Sequence, residues 1–467
     1  MTYSALGDIV KTYDVRGLVA TQLTPSVARA LGAAFVEEVS LPGNAVVVGH
    51  DMRDSSPVLA KAFGEGVRSQ GGHIRNIGLC STDMVYYASG TWDLPAVMIT
   101  ASHSPATYNG FKFSRAGAQG ISLDTGLAQI RDRAVRFEDG SEDYGTGNGD
   151  ESSSDVLADY AAYLRKLVPV TGDRPLKVVV DAANGMAGHT VPAVFGTGVE
   201  GIEIIPLYFE LDGSFPNHEA NPLDAKNLVD LQKAVVAEGA DVGLAFDGDA
   251  DRCFVIDEQG DPVTPSVVAA LVAQREVARV RDAGEPDPIY VLHNLLCSKR
   301  VEEVIAGAGA VAVRTKVGHS LIKDEMKATG AIFGGEHSAH YYFRDFWGAD
   351  NGMLAALHVL AELRGSDGPL SALTKEFALY AESGEINTVV ADQSAAMRAV
   401  EDLFFGRGEV DHLDGVTITS GSDDWWWVNV RASNTEPLLR LNVEAQWREV
   451  MEEVRDQALS VIAAHTK

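Results

Sequence analysis

The chain has 467 residues, of which 46% are hydrophobic and 22% are charged, and its formal net charge is −28. This composition is typical of a soluble globular protein, and the length predicts about three or four domains. The acidic balance argues against non-specific binding to nucleic acid or to an anionic membrane surface, because both need a basic face. A phosphate-bearing substrate would need its own local cations in the binding site.

Cysteine use and the first residues indicate the compartment. The chain has three cysteines, Cys80, Cys253 and Cys297, and no two of them have metal-ligand spacing. We expect no disulfide framework, which fits a reducing cytosol. The start of the chain lacks a basic stretch followed by an apolar core, so we expect no signal peptide. The longest apolar runs fall well short of about 18 residues, so we expect no membrane span and a cytoplasmic protein.

A short apolar run, a polar glycine-rich loop and a helix-like segment recur in this order along the chain. The runs with their loops are AVVVGHDMRD (45–54), AVMITASHSP (96–105), KVVVDAANGMAG (177–188), VGLAFDGDADR (242–252), PIYVLHN (288–294) and AIFGGEHS (331–338). Continuous apolar strands that alternate with helices predict parallel or mixed sheets covered on both faces. Ligands bind such sheets at the carboxyl ends of the strands, where these loops lie.

Changes in composition predict where the domains end. Segment 137–155 is acidic and rich in Gly and Ser, and 258–265 and 363–370 are further candidate boundaries. We therefore expect three similar α/β domains with mixed sheets and a smaller C-terminal α+β domain. The predicted ranges are 1–150, 151–257, 258–370 and 371–467.

The C-terminal part of the chain has a different periodicity from the rest. Apolar residues alternate in two runs. One face of the first run carries Trp426, Val428 and Val430, and one face of the second carries Leu439, Leu441 and Val443. This alternation predicts two half-buried antiparallel strands. The spacing of apolar residues predicts an amphipathic helix over 446–465 and a helix over 350–364 earlier in the chain. We interpret the Trp triplet 425–427 as packing residues rather than a ligand platform.

The loop DGDADR (247–252) places Asp247, Asp249 and Asp251 at alternate positions behind the apolar run VGLAF. Three close carboxylates repel one another unless a cation neutralises them, and an all-oxygen ligand set suits Mg²⁺. Arg252 is then placed to meet a phosphate. A solvated acidic turn is the alternative, but the apolar run fixes this loop at a sheet edge.

Two loops carry groups that bind anions. RASNTEP (431–437) combines a guanidinium, two hydroxyls and an amide, which suit a phosphate, although an ordinary turn between strands uses the same residue types. RTKVGHS (314–320) adds Arg314, Lys316 and His319. We predict phosphate contacts from the first loop and a possible anion-facing role for the second.

Two other segments carry candidate polar contacts. GGEHSAH (334–340) places Glu336, Ser338 and His340 at alternate positions between glycine-rich flanks, a set that can hold neighbouring sugar hydroxyls. A single histidine is more often structural, but this one shares its loop with a carboxylate and a hydroxyl. Near the start, YDVRG (13–17) places Arg16 just before a glycine.

The segment TASHSPATYNGFKF (100–113) follows the apolar run AVMI and leaves Ser102 and His103 side by side on a loop. A serine in this place is either a turn residue or a nucleophile. Combined with the acidic loop and the candidate phosphate and hydroxyl loops, it predicts a site for phosphoryl transfer to and from a sugar phosphate. Such a site needs positioning, charge neutralisation and exclusion of water.

The motifs YDVRG, TASHSP, DGDADR, GEHSAH and RASNTEP span nearly the whole chain. With these motifs in this order, the sequence resembles the α-D-phosphohexomutases, the superfamily of phosphomannomutases and phosphoglucomutases. The resemblance implies four domains in a heart shape around a central cleft. It also implies reversible phosphoryl transfer between O6 and O1 of a hexose phosphate through a phosphoserine and a hexose 1,6-bisphosphate.

The resemblance implies a role for individual residues. Ser102 would carry the phosphoryl group, with Mg²⁺ bridging it to Asp247, Asp249 and Asp251. His103 and Lys112 would steady the phosphoryl oxygens, and the candidate acid/base groups are Lys112, Arg16 and His340. The substrate-binding candidates are Tyr13, Arg252, Lys316, His319, Glu336, Ser338, Arg431, Ser433, Asn434 and Thr435. The implied activator is a hexose 1,6-bisphosphate, and the implied assembly is a monomer or homodimer.

Several positions depart from the commonest pattern of these enzymes. SHSP replaces the more usual SHNP, and GEHSAH replaces GEMSGH, which introduces His337 and Ala339. Whether Lys299, in HNLLCSK, contributes to substrate binding stays open. The last histidine of GEHSAH favours mannose 6-phosphate, with glucose phosphate as a second substrate. A phosphoglucosamine mutase or a glucose-specific phosphoglucomutase is the alternative within the same superfamily.

Two other classes of protein compete with this interpretation. A haloacid-dehalogenase-type enzyme would use Asp247 as its nucleophile, but Asp251 stands where Thr or Val is expected, and the TASHSP loop would have no role. A non-catalytic sugar-phosphate-binding module would not need a complete serine–metal pair, which this chain has. Turnover separates the module from a mutase.

Overall fold

The computed structural model describes residues 3–39, 45–196, 199–421, 423–433 and 438–466. The strands in these ranges form four sheets in chain order. Three short turns are 3₁₀-helical (Leu123–Thr125, Ala225–Leu228 and Arg344–Phe346), and Pro192–Gly196 is π-helical. No described helix is both long and apolar enough to cross a membrane.

The first sheet has seven strands and is mixed. Its strands are β1 (Val15–Leu18), β2 (Ala45–His50), β3 (His73–Leu79), β4 (Ala96–Ile99), β5 (Tyr108–Arg115), β6 (Gln119–Gly120) and β7 (Glu151–Ser153). Strands β2, β3, β4 and β7 pair in parallel, whereas β5 pairs antiparallel with β1, β4 and β6. The accompanying helices are α1 (Tyr3–Ile9), α2 (Pro25–Glu38), α3 (Ser56–Ser69), α4 (Thr82–Trp92) and α5 (Leu127–Asp139).

The second sheet has five strands, again with parallel pairing followed by an antiparallel edge. Its strands are β8 (Leu176–Asp181), β9 (Ile202–Leu207), β10 (Val242–Phe246), β11 (Cys253–Asp257) and β12 (Pro262–Val263). The helices are α6 (Leu157–Leu167), α7 (Ala187–Val191) and α8 (Val229–Glu238). Every residue of β10 is buried, which confirms the prediction that VGLAF is a strand covered on both faces.

The third sheet repeats this arrangement, with parallel strands at one side and an antiparallel edge at the other. Its strands are β13 (Tyr290–Asn294), β14 (Val311–Thr315), β15 (Phe333–Gly335), β16 (Tyr341–Phe343) and β17 (Ala349–Asp350). The helices are α9 (Pro265–Asp282), α10 (Lys299–Gly307), α11 (His319–Thr329), α12 (Gly352–Arg364) and α13 (Leu370–Thr374). Helix α12 confirms the helical periodicity predicted over 350–364.

The fourth sheet is antiparallel in all its pairings among the described residues. Its strands are β18 (Ala381–Glu382), β19 (Ile386–Val389), β20 (Glu409–Asp411), β21 (Val416–Thr419), β22 (Trp426–Ala432) and β23 (Leu438–Ala445). Helices α14 (Gln393–Leu403) and α15 (Arg448–Ala463) complete it. Three mixed sheets and a C-terminal antiparallel sheet with two helices confirm the predicted fold class.

The prediction of half-buried C-terminal strands is wrong for β22, which is buried on both faces. Trp426, Val428 and Val430 lie in the C-terminal hydrophobic core as predicted. The opposite face is also covered, because Trp427 donates to Glu444 at 2.7 Å and Asn429 donates to Thr417 at 2.9 Å. The three tryptophans 425–427 are buried, which fits their interpretation as packing residues.

Hydrophobic cores fix how the four sheets are joined. Val47 of the first sheet, Leu244 of the second and Val291 of the third belong to one continuous buried cluster, while the C-terminal sheet has a core of its own. Its contacts with the third sheet include polar ones, such as the hydrogen bond of 3.0 Å from the Lys299 backbone N–H to Glu444. The first three sheets therefore share apolar packing, whereas the described core of the fourth is separate.

Candidate active site

A cleft of about 860 Å³ lies where loops from all four sheets converge. Its lining includes Ser102 from the first sheet, Asp251 from the second, His340 from the third and Arg431 from the fourth. Each of these residues lies on a predicted polar loop or at the strand beside it. Within each of the first three sheets, the loops at the carboxyl ends of the parallel strands lie at one edge. The cleft forms where these edges meet residues of the antiparallel fourth sheet.

Ser102 lies on the loop that follows β4 and is nearly buried. Its φ of 49° is in the left-handed region, which costs energy for a residue other than glycine and is common at functional sites. The backbone N–H of Ser102 donates to Thr100 Oγ1 at 2.9 Å, and its Oγ donates to Asp247 Oδ2 at 2.7 Å. Gly248 is required opposite, since a Cβ there would lie 2.4 Å from the Ser102 carbonyl oxygen.

Arg53 holds the Ser102 loop in place, and sequence reasoning did not identify it. Its Nη2 donates to the carbonyl oxygens of Ser102 (2.9 Å) and Ser104 (2.6 Å). Its Nη1 donates to the carbonyl oxygens of Pro105 (2.9 Å) and Tyr108 (3.0 Å). The guanidinium is buried and lies 3.3 Å from Asp51. The only signal in the sequence is its position on the polar loop after β2, in GHDMRD.

The three aspartates after β10 form one buried cluster. One carboxylate oxygen from each of Asp247, Asp249 and Asp251 lies within 4.8 Å of the others. The Lys112 ammonium, on β5, donates to Asp249 at 2.7 Å and to Asp251 at 2.6 Å. Oδ1 of Asp249 and Oδ1 of Asp251 are buried without a hydrogen-bond partner. Unsatisfied buried carboxylate oxygens in an all-oxygen set are what a hard divalent cation binds, so these residues fit a metal ion.

The cluster is electrostatically strained without such a cation. Burial, followed by the charge of Asp249, raises the pKa of Asp251 to about 7. Burial also raises the pKa of Asp247, although the Arg252 guanidinium opposes it. For Asp249, burial is outweighed by the Lys112 ammonium, which holds the pKa of that carboxyl below its usual value. Like charges at such separations push each other's pKa values apart.

Arg252 and His103 flank the Ser102 hydroxyl. Arg252 is buried and pairs with Asp247 at 2.7 Å, and its Nη2 lies 3.4 Å from Ser102 Oγ. The same nitrogen lies 2.6 Å from His103 Nδ1, which is itself 3.3 Å from Ser102 Oγ. Burial, and next the Arg252 charge, lowers the pKa of His103 well below its usual value. The His103 ring is therefore neutral, and its Nδ1 accepts from Arg252.

Arg16 and His340, two of the predicted acid/base groups, both line the cleft. Arg16 of β1 donates to Ser104 Oγ at 3.0 Å and to Asp14 at 2.7 Å. His340 follows the loop after β15, and burial lowers its pKa to about 4. Its ring lies within 4.8 Å of carboxylate oxygens of Asp251 and Asp350. His340 is therefore neutral near pH 7.

The proposed hydroxyl-binding residues lie beside His340. Both Glu336 oxygens have partners: Oε2 accepts from the Tyr342 hydroxyl at 2.7 Å, while Oε1 accepts from Asn294 at 3.3 Å and from the Gly318 N–H at 3.2 Å. Ser338 Oγ lies 3.0 Å from His340 Nδ1. Glu336 is buried, and its pKa is raised by that burial. Contact of either residue with a sugar stays a prediction.

On the C-terminal side, two arginines share one carboxylate. Glu385 accepts from Arg431 at 3.0 Å and from Arg440 at 2.8 Å. Arg431, Arg440 and Ser433 all line the cleft. Arg440, on β23, was not identified from the sequence, although it pairs in register with Arg431 of β22. Asn434 and Thr435 lie outside the described residues, so their predicted role is untested.

The remaining candidates occupy different places. Tyr13 lines the cleft and packs against the backbone of Gly318, where a Cβ would lie 2.3 Å from the tyrosine hydroxyl. Lys316 is exposed at the end of β14, and His319 begins α11, with its side chain outside the description. The Lys299 ammonium lies 4.3 Å over the ring of Trp425, so in this structure it packs on a tryptophan.

Family models match the chain in four consecutive parts. They are the α/β/α domains I, II and III and the C-terminal domain of phosphoglucomutase/phosphomannomutase, matched over residues 7–136, 158–260, 264–380 and 385–461. Together they cover most of the chain, and their order is that of the four sheets. A fold of four such units around one cleft with a buried carboxylate cluster defines a phosphohexomutase.

Individual proteins agree with the family models. The chain is 36% identical to phosphomannomutase/phosphoglucomutase of Pseudomonas aeruginosa over 453 residues, covering 96% of this chain and 94% of that protein. It is 35% identical to phosphomannomutase of Escherichia coli over 455 residues, with 96% and 97% covered. A crystal structure of a phosphoglucomutase/phosphomannomutase family protein from Burkholderia thailandensis has a TM-score of 0.86 at 29% identity, covering 99% and 98%. The chain belongs to the phosphoglucomutase/phosphomannomutase family.

Proposed function

We propose that the protein moves a phosphoryl group reversibly between O6 and O1 of a hexose phosphate, through a phosphoserine and a hexose 1,6-bisphosphate. The observation that carries this proposal is the hydrogen bond of 2.7 Å from Ser102 Oγ to Asp247, inside the carboxylate cluster and open to the cleft. Family membership supports the same reaction. The bisphosphate would also act as the activator, because it can phosphorylate an empty Ser102.

Ser102 is the proposed phosphoryl carrier, and the residues around it prepare the loop for that role. Arg53 fixes the loop backbone through four carbonyl oxygens. Arg252 Nη2 lies 3.4 Å from the serine oxygen, so it is placed to donate to a phosphoryl group on it. His103 Nδ1, at 3.3 Å from the same oxygen, accepts from Arg252 and holds that guanidinium beside the serine. Donors fixed before the reaction stabilise developing charge without reorganisation.

Asp247, Asp249 and Asp251 are the proposed Mg²⁺ ligands, together with the oxygen on Ser102. Bound there, the ion would neutralise charge on the phosphoryl oxygens in the transition state. Lys112 now bridges two of these carboxylates and is close enough to turn toward the phosphoryl group instead. The residues supply oxygen ligands only, which favours Mg²⁺ over softer metals.

Proton transfer is assigned to His340, with Arg16 and Lys112 as cationic partners. The neutral imidazole of His340 accepts the proton of the attacking sugar hydroxyl and later returns one to the leaving oxygen. Arg16, which lines the same cleft, would donate hydrogen bonds to the substrate. A general base must be unprotonated at the working pH, and the His340 imidazole meets this condition.

The sugar and the distal phosphate are assigned to loops of the third and fourth sheets. Glu336 would bind hydroxyls through Oε1, whose two hydrogen bonds of 3.2 and 3.3 Å are longer than the Tyr342 contact of Oε2. Ser338 would bind beside it. Arg431, with Ser433, Asn434 and Thr435, would hold the phosphate that is not reacting. Tyr13, Lys316 and His319 complete the proposed substrate site.

Four domains are proposed over the ranges 1–150, 151–257, 258–370 and 371–467. Two strands lie outside the range of their own sheet: β7 pairs with β3 of the first sheet, and β12 (Pro262–Val263) pairs with β11 of the second. The first boundary is therefore better placed after Ser153 and the second after Val263.

Peptide mapping after incubation with glucose 1,6-bisphosphate tests the mechanism. We expect one phosphate, on the peptide that contains Ser102. This phosphate should be stable to hydroxylamine, because a phosphoserine is not an acyl phosphate. Ser102→Ala should lose most turnover while it still binds substrate, and Ser141→Ala, an exposed serine, serves as the matched control. Phosphate on Asp247 would refute the mechanism.

The sugar preference is tested by comparing mannose 1-phosphate with glucose 1-phosphate. The bisphosphate must bind in two orientations, so lasting contacts are best made to O3 and O4, which the two sugars share. We therefore expect activity on both sugars, and Glu336→Ala should impair both about equally. A loss of about a hundredfold on one sugar alone would mean that Glu336 contacts C2, and dual specificity would be refuted.

A further inference from the structure

The segment between β9 and the following 3₁₀ turn, residues 208–224, contains neither helix nor strand. Long segments of this kind in a compact protein are usually functional. Two of its residues, Glu219 and Asn221, line the same cleft as Ser102. None of the five motifs described above includes this segment, and the proposed mechanism does not use it.

The segment packs directly against the Ser102 loop. A Cβ on Gly213 would lie 2.6 Å from the Cα of Arg53, which holds that loop. The ring of Phe215 lies 5.0 Å from the Arg53 guanidinium. Ala220 lies near Gly248, which itself contacts the Ser102 carbonyl. Residues 213–221 therefore form one wall of the reaction site.

Side chains, rather than a helix or strand, fix this wall. His218 Nε2 lies 3.0 Å from Asp181 Oδ2 at the end of β8, and Asn217 donates to Asn184 at 2.8 Å. Asn227 donates to the Asn221 carbonyl at 2.8 Å. Burial alone would lower the pKa of His218, but the hydrogen bond and charge of Asp181 raise it above its usual value. The hydrogen-bonded His218–Asp181 pair thus anchors the wall.

Asn221 presents a hydrogen-bond donor to the cleft. Its Oδ1 accepts from the Leu223 backbone N–H at 3.3 Å, which fixes the orientation of the carboxamide. Within the described part of the chain, its Nδ2 has no hydrogen-bond partner. A side-chain N–H held rigidly at the wall of a binding cleft is suited to an acceptor oxygen of the ligand.

We infer that Asn221 is a further substrate-binding residue, donating from Nδ2 to an oxygen of the bound hexose phosphate, and that His218 and Asp181 are its positioning pair. This inference rests on the proposed function of the cleft. The oxygen belongs either to the phosphate or to a ring hydroxyl, and both are acceptors of the same kind.

Asn221→Asp separates ligand binding from loop structure. Aspartate keeps the oxygen that accepts from Leu223 but removes the N–H donor, and Asn221→Ala removes the donor without adding charge. We expect both variants to raise KM about tenfold or more, with kcat changed much less. Asn148→Asp, the same change at an exposed position, should leave both constants unchanged. A raised KM in the Asp variant alone would show a long-range charge effect and overturn the inference.

Inhibition by inorganic phosphate identifies the contacted oxygen. If Asn221 binds the phosphate, Asn221→Ala weakens this inhibition along with substrate binding. If it binds a ring hydroxyl, inhibition by phosphate is unchanged while KM for the hexose phosphate rises. Both results support the inference, whereas an unchanged KM refutes it.

The positioning pair is tested in a double-mutant cycle. His218→Ala should raise KM in the otherwise unchanged protein and should raise it no further when Asn221 is already Ala. His218→Gln, which can still donate to Asp181, should restore much of the loss. Additive effects would mean that His218 does not act through Asn221.

Calorimetric titration with glucose 1,6-bisphosphate separates failure of this inference from failure of the proposed function. Absence of turnover in the unchanged protein would refute the proposed function alone. A dissociation constant that is the same with and without Asn221→Ala would refute the inference alone.

Discussion

Two glutamates of the C-terminal sheet face each other, one fully buried and the other with a side chain that is 20% exposed. Glu382 of β18 and Glu444 of β23 are direct cross-strand partners, and carboxylates placed directly opposite repel each other. Glu444 is fully buried and accepts from the Lys299 N–H at 3.0 Å and from Trp427 at 2.7 Å. Burial raises the pKa of Glu444 as well, but these donors oppose that shift. The charge of Glu444 in turn raises the pKa of Glu382, so we assign the bound proton to Glu382.

Burial, with the charge of Glu444 as a second cause, raises the pKa of Glu382 from about 4.5 to about 8. His337 lies 4.0 Å away, but burial lowers its pKa, so it does not neutralise the carboxylate. Between pH 4.5 and 8 the folded protein holds a proton that the unfolded chain has lost. The free energy of unfolding therefore falls as pH rises through this interval, and the penalty is complete above about pH 8.

We predict that Glu382→Gln removes this penalty. The change from about 4.5 to about 8, at about 1.4 kcal/mol for each tenfold step, sets an upper limit of about 5 kcal/mol. Relaxation around a buried charge reduces such values, so we expect a gain of about 1–3 kcal/mol at pH 8.5. Glutamine is isosteric and neutral, so the gain should vanish as the pH approaches 4.5.

Thermal unfolding of the two proteins at several pH values between 5 and 8.5 measures this effect. The glutamine variant should unfold at a higher temperature at pH 8.5, and the two curves should converge toward pH 5. Glu409→Gln, an exposed position on β20, is the control and should show no such pH-dependent gain. A difference of the same size at both ends of the range would refute the reasoning, as would a less stable variant at pH 8.5.

Three further changes test the site. Asp249→Asn should slow phosphoryl transfer by orders of magnitude and weaken Mg²⁺ binding, and a chelator that left the unchanged protein fully active would contradict the metal assignment. Arg431→Ala should raise KM about tenfold or more, with a smaller fall in kcat, since a charged phosphate contact contributes roughly 1.5–3 kcal/mol. Its control is Arg448→Ala, at the exposed start of α15. Arg53→Lys should lower kcat on the order of 100-fold, because lysine cannot hold all the carbonyl oxygens of the Ser102 loop, and unchanged kcat would mean that the loop needs no such clamp.

Local sequence was sufficient to predict a functional group of residues where all its members lie on one loop. Asp247, Asp249 and Asp251 alternate after a buried strand, so a single tight turn brings their carboxylates together. Local sequence also predicted the strands and loops of the first three sheets, because a continuous apolar run indicates a strand buried on both faces. The resemblance to a four-domain family was likewise based on short local motifs.

Sequence by itself therefore determined the kind of fold, the acidic cluster and the loop of Ser102. Only the tertiary structure decided which residues from distant parts of the chain contact these loops. Arg53 clamps the Ser102 loop from the loop after β2. Arg440 pairs with Arg431 across neighbouring strands, and Glu382 lies opposite Glu444 through the register of the sheet. These relations depend on pairings between segments far apart in the chain, and burial, which sets their energies, exists only after the sheets have packed.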